Sequence, residues 1–130
     1  MNQFISQIAL VVNDYDEAIA FYTQKLKFRL IEDTVLSPGK RWVIVAPQGL
    51  GSCRLLLAKA SGEEQKNRIG NQTGGRVFLF LYTDNIERDH QNIIEQKIKI
   101  VRPLITEPHG KVLVFEDLYG NLWDVIEPSH

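Results

Sequence analysis

The chain has one cysteine among 130 residues, so Cys53 cannot close an internal disulfide. Neither sign of charge is in excess: 15 Lys and Arg stand against 16 Asp and Glu, for a net charge of −1. Nucleic acids and anionic membrane surfaces require a basic face that releases counterions or meets lipid headgroups, and that balance argues against both as partners. No apolar run approaches the roughly 18 residues that span a bilayer. The amino-terminal MNQFISQIAL lacks the basic region and small-residue cleavage site of a signal peptide, so a cytoplasmic location is expected. What is present is an apolar fraction of 44%, and a chain of this size buries about two thirds of its unfolded surface in one core. Neither metal nor disulfide is needed merely to fold, and the expected partners are a small molecule and a second copy of the chain.

Residues Phe4 to Val12 form a short, β-branched run that ends at Asn13-Asp14, the pattern of a buried strand. Asp14 and Glu17 have the spacing of a capping box, and Ile19, Tyr22 and Leu26 then fall on one helical face. Strand-like runs come next over residues 29–35, 41–46 and 53–59, separated by Ser37-Pro38-Gly39 and by Pro47-Gln48-Gly49-Leu50-Gly51. Residues 61–75 are polar and read as a linker, with Ser61 and Glu64 placed to cap a short helix. The pattern then repeats: a strand over 77–82, an Asp84/Glu87 cap, a helical stripe of Ile86, Ile93 and Ile94, and strands over 99–102, 111–115 and 122–126. Aligning Asp14 on Asp84 gives an offset of 84 − 14 = 70 residues. Two βαβββ modules, 1–60 and 76–130, therefore make one α+β domain, as a duplicated unit that cannot bury its face alone would.

The layout, with Ile8-Ala9-Leu10-Val11-Val12-Asn13-Asp14, Ala20-Phe21-Tyr22-Thr23 and Phe115-Glu116-Asp117-Leu118-Tyr119-Gly120-Asn121 leading into Trp123-Asp124, resembles the vicinal oxygen chelate superfamily of glyoxalases, bleomycin resistance proteins and extradiol dioxygenases. The resemblance covers essentially the whole chain. It implies that each module curls its sheet into half of a cup, usually completed in a homodimer, with a ligand inside.

Strand parity singles out polar side chains in apolar strands. Gln7, Arg54 and Asp124 are the three, and burying such groups without partners costs roughly 1–3 kcal/mol, so each should find a hydrogen bond or face a wet cavity. The metal enzymes of the superfamily draw one ligand from the first and last strand of each module. Carried over, those positions fall on Gln7, Leu56, Phe78 and Asp124. Leu and Phe have no lone pair, and a catalytic divalent site normally keeps about three protein ligands, so no metal cofactor is expected. A divalent ion would have to borrow ligands from elsewhere, such as His109.

Arg76, Phe78, Phe80 and Tyr82 share one parity, and with the cup that the resemblance implies they point to an aromatic-lined, metal-free cavity using Gln7, Arg54, Leu56, Phe78 and Asp124. Trp123, opposite in parity to Asp124, belongs to the helix-facing core. The expected function is small-molecule binding in a cytoplasmic homodimer, with sequestration or detoxification of a compound as its role. Two alternatives stand beside it: an enzyme of the same family, a lyase, isomerase or dioxygenase with Asp124 or His109 as general base, and a dimer whose cup is filled by its own side chains.

Overall fold

The computed structural model describes residues 1–51 and 53–129, in two compact units, Met1–Ile69 and Gly70–His130. The first unit holds β1 (Gln7–Val12), a helix α1 (Tyr15–Ile19) that continues as a π-helical stretch (Ala20–Lys25), β2 (Arg29–Ser37), β3 (Lys40–Ala46), β4 (Arg54–Lys59) and the short α2 (Gly62–Lys66). Its sheet runs in the order β1-β4-β3-β2, with β1 parallel to β4 and the other pairs antiparallel. The second unit holds β5 (Val77–Tyr82), α3 (Ile86–Glu95), β6 (Ile100–Glu107), β7 (Gly110–Glu116) and β8 (Leu122–Pro128), in the order β5-β8-β7-β6 with β5 parallel to β8. These are the two βαβββ modules expected from the sequence. Among the described residues no helix is long and apolar enough to cross a membrane.

Period-two alternation decides which sheet face is core. In the first unit Leu10 and Val12, Val43 and Val45, and Leu55 and Leu57 are all buried on the face that meets α1, where Tyr15, Ala18, Phe21 and Tyr22 pack. In the second unit Leu113, Phe115, Trp123 and Val125 form the corresponding layer with Ile86 and Ile93 from α3. The Phe115 and Trp123 rings stack with centroids 5.9 Å apart.

Asp14 caps α1, its carboxylate accepting from the Glu17 N–H at 2.9 Å. The expected stripe of Ile19, Tyr22 and Leu26 is displaced: Phe21 and Tyr22 are buried, whereas Ile19 and Leu26 are only half-buried. The cause is the π-helical stretch, where the Leu26 N–H reaches five residues back to the Phe21 carbonyl and the wider turn rotates the end of the helix. Three further expectations need correction. Asn85, not Asp84, caps α3 by accepting from the Arg88 N–H, and Asp84 instead pairs with the Arg88 guanidinium at 3.0 Å. Ser61 makes no side-chain cap; the Gln65 amide oxygen reaches back to the Ser61 N–H at 2.8 Å. Ile94 is 50% exposed, one step off the buried Ile86–Ile93 stripe.

Both long helical segments end on a lysine in the left-handed region, Lys27 at φ 65° and Lys97 at φ 57°, each succeeded by a buried apolar residue, Phe28 and Ile98. β6 outruns its expected end at Arg102 because Pro103 is tolerated on an edge strand beside an irregularity in the β6–β7 register.

The turn between β7 and β8 explains the most distinctive stretch of the sequence. Asp117 and Asn121 are its two buried polar residues. The Asp117 carboxylate accepts from the Tyr119 N–H (2.9 Å), the Asn121 N–H (2.9 Å) and the Asn121 side-chain amide (2.8 Å), while the Asp117 N–H donates to the Asn121 carbonyl (2.9 Å). The acidic residue of this signature is thus consumed in holding a turn.

Candidate functional site

The face of each sheet turned away from its helices carries the candidate side chains. In the first unit Gln7 and Arg54 are register partners across the parallel β1–β4 pair, and Leu56 lies between Ala9 and Ile44. Gln7 is half-buried, its amide oxygen accepting from the Ser6 hydroxyl at 3.1 Å, whereas Arg54 is exposed. Arg54 also borders an open cleft of about 600 Å³ with Arg29, Phe4 and Cys53 at its edges.

In the second unit a β-bulge changes the expected geometry. Val77 pairs with Leu122 and Leu79 pairs with Trp123, so Phe78 is the extra residue and the single parity assumed for 76–82 is broken there. Phe80, rather than Phe78, stands directly opposite Asp124, and Tyr82 stands opposite Ile126. On the other side Asp124 pairs with Val114, which pairs with Arg102 on β6. One row therefore crosses the sheet as Phe80, Asp124, Val114 and Arg102. Phe80 and Tyr82 present their rings openly, at 61% and 69% exposure. Residue types alone marked Asp124; Phe80 and Arg102 as its row-mates depend on bulges that no letter of the sequence encodes.

The Oδ1 of Asp124 is buried and has no hydrogen-bond partner among the described residues. Its carboxyl pKa is raised from the ordinary 3.8 because burial penalises the charged form, against which the positive fields of Arg102 and His109 act in the lowering direction. His109 itself is an exposed residue of the β6–β7 turn, its carbonyl accepting from the Ser129 N–H at 3.0 Å. The folded chain binds the Asp124 proton more tightly than the unfolded chain does. The ionised group therefore costs stability at neutral pH, and that cost is relieved as the pH falls through the raised value toward 3.8. Asp124→Asn is accordingly expected to be the more stable protein at pH 7, by on the order of 1 kcal/mol. Urea unfolding at pH 7 and near pH 4 should show the gap closing on acidification; a gap independent of pH would contradict this origin.

The residues at the positions where metal enzymes of the resembled superfamily hold their ligands do not fit a divalent cation. Leu56 and Phe78 offer no donor, Gln7 has the Arg54 strand position beside it, and Asp124 is a single carboxylate. Among the described residues no three His, Cys, Asp or Glu side chains group closely enough to hold a metal ion.

Relatives place this geometry in a family. An uncharacterized protein of Shewanella frigidimarina (strain NCIMB 400) is 59% identical over 128 residues, covering 98% of this chain and 95% of the relative. Among solved structures, UcmS2 matches with a TM-score of 0.84 at 24% identity, covering 98% of this chain and 99% of that one. TnmS3, an antibiotic binding protein from Streptomyces sp. CB03234, matches with a TM-score of 0.77 at 24% identity and 98% coverage of both chains. At that identity the two structures speak to the fold. The family description Glyoxalase/Bleomycin resistance protein/Dioxygenase superfamily matches residues 4–125. With the match spanning both modules, the chain belongs to the glyoxalase/bleomycin resistance protein/dioxygenase superfamily.

Proposed function

We propose that this is a metal-independent small-molecule binding protein that takes up a compound on the sheet faces turned away from the helices and sequesters it, working as a cytoplasmic homodimer. The observation that carries this reading is the buried, unpartnered Asp124 Oδ1 lying in a row with the open Phe80 ring. A native fold rarely leaves a buried polar atom unsatisfied unless something else supplies the partner, and an aromatic wall with few polar groups is the usual make-up of a ligand site. The proposed contacts are taken unit by unit: Gln7, Arg54 and Leu56 on the sheet of the first, and Phe78, Phe80 and Asp124 on the sheet of the second. A ligand matching Phe80 and Asp124 would be flat and would carry a hydrogen-bond donor or a cationic nitrogen. The role that TnmS3's description names, antibiotic binding, is of this kind.

The test is a thermal-shift and calorimetric screen of flat, nitrogen-bearing aromatic compounds, antibiotics included, alongside elemental analysis of protein purified without chelator. Stabilisation of the metal-free protein is expected, with affinity falling roughly tenfold in Asp124→Asn through loss of one charge-assisted contact. A stoichiometric transition metal in the purified protein, or a binding curve unchanged by the substitution, would overturn the reading.

A further inference from the structure

The two sheets differ where β3 meets β4. In the second unit the equivalent β7–β8 ladder holds seven successive register pairs, from Gly110–Pro128 to Glu116–Leu122. In the first unit the described residues of β3 and β4 pair at Ile44–Leu56 and Val45–Leu55. Beyond Ile44 the strands part, and the residues that would have continued the ladder, Arg41 and Trp42 against Leu57, Ala58 and Lys59, line an open cleft of about 600 Å³. Tyr15 from α1 lines the same cleft, and the Arg41 backbone N–H donates to its hydroxyl at 3.2 Å. A long-range contact thus accompanies the separation. The Arg41 guanidinium, bound to both Asp16 (2.9 Å) and Asp33 (2.7 Å) and lying 5.2 Å from the Tyr15 ring centroid, holds that phenol in place.

From this geometry we infer that the parted β3–β4 strands of the first unit form a small-molecule site for an aromatic anion, one that shares Leu56 with the proposed contacts but uses none of Phe78, Phe80 and Asp124. The cleft size falls in the range of ligand pockets. Trp42, half-buried, offers a flat wall. Lys40 and Lys59 flank the opening, and among the described residues neither ammonium enters an ion pair, whereas the Arg41 charge is already neutralised. Cations left open beside an aromatic wall select a ligand with a ring and a negative group. Asp124 faces an opposite preference, for a donor or cation, so the two sites take different compounds.

The probes are 8-anilinonaphthalene-1-sulfonate and its uncharged analogue N-phenyl-1-naphthylamine, titrated into the full chain and monitored by tryptophan quenching. Trp123, buried against Phe115, is a poor reporter of either, so the signal belongs to Trp42. The expected result is saturable binding of the sulfonate that weakens about tenfold in the Lys40→Gln/Lys59→Gln double variant, with the neutral analogue unaffected. Quenching should vanish in Trp42→Phe, while Asp124→Asn should bind the sulfonate as the parent does. Equal affinity for both probes, or a double variant indistinguishable from the parent, overturns the inference. Sensitivity to Asp124→Asn without sensitivity to the lysines overturns it too while leaving the proposed function standing.

Discussion

Asp117→Ala should lower the stability of the chain by about 3 kcal/mol, because one buried carboxylate satisfies three donors at once. Each hydrogen bond to a charged acceptor contributes roughly 1.5–3 kcal/mol, and the contributions overlap because the same turn serves all three. Alanine leaves the Asn121 side-chain amide, itself buried, without its acceptor, and buried donors stripped of their partner carry the full cost of desolvation. Asp117→Asn keeps one acceptor oxygen but turns an amide group toward the Asn121 amide, so an intermediate loss of about 1–2 kcal/mol is expected. Urea unfolding of the three proteins is the measurement. A loss below about 1 kcal/mol in the alanine variant would mean that water replaces the carboxylate and that the turn is held by other contacts.

Gly70→Ala should be comparably damaging, at about 3 kcal/mol. Gly70 sits at φ +75°, where a side chain costs roughly 1–2 kcal/mol by itself. A Cβ there would also overlap the Tyr119 carbonyl oxygen and come within 2.8 Å of its carbon. Both are backbone atoms of the turn that Asp117 ties down, so neither can swing aside. Gly74 provides the control, having φ +70° and nothing within 4 Å of the place a Cβ would occupy. Gly74→Ala should cost only the conformational part, about 1 kcal/mol, and the difference between the two variants isolates the overlap. If the two lose the same stability, the Gly70 segment moves away from Tyr119 freely and this packing is not a constraint.

Much of the architecture was legible because periodicity and punctuation act locally. The apolar runs ended at Asn13-Asp14, Ser37-Pro38-Gly39 and Pro47-Gln48-Gly49, and strands and turns formed accordingly. The failures share one character. Asp84 and Asn85 are adjacent and both able to cap, and only the start of α3 chooses between them. Val77-Phe78-Leu79-Phe80-Leu81-Tyr82 is apolar at every position, so a one-residue bulge leaves no trace in its letters, yet it decides which phenylalanine meets Asp124. Where β3 parts from β4, Arg41 bonds to Tyr15, 26 positions away in the chain, and no local pattern reports it. Asp124 stands out in the sequence as a candidate because a carboxylate in the middle of Leu-Trp-Asp-Val-Ile is costly wherever the strand lies.

The π-helical stretch settles a count between the halves. From helix cap to left-handed lysine the first half uses 27 − 14 = 13 positions and the second 97 − 85 = 12. The lysines are 97 − 27 = 70 apart, but the caps are 85 − 14 = 71 apart. The first copy thus carries one residue more between the same two landmarks, and a turn closed by a five-residue reach absorbs it without moving either end. Beside it lie Phe21 and Tyr22, so the longer segment is the one that packs two aromatic rings against the first unit's sheet.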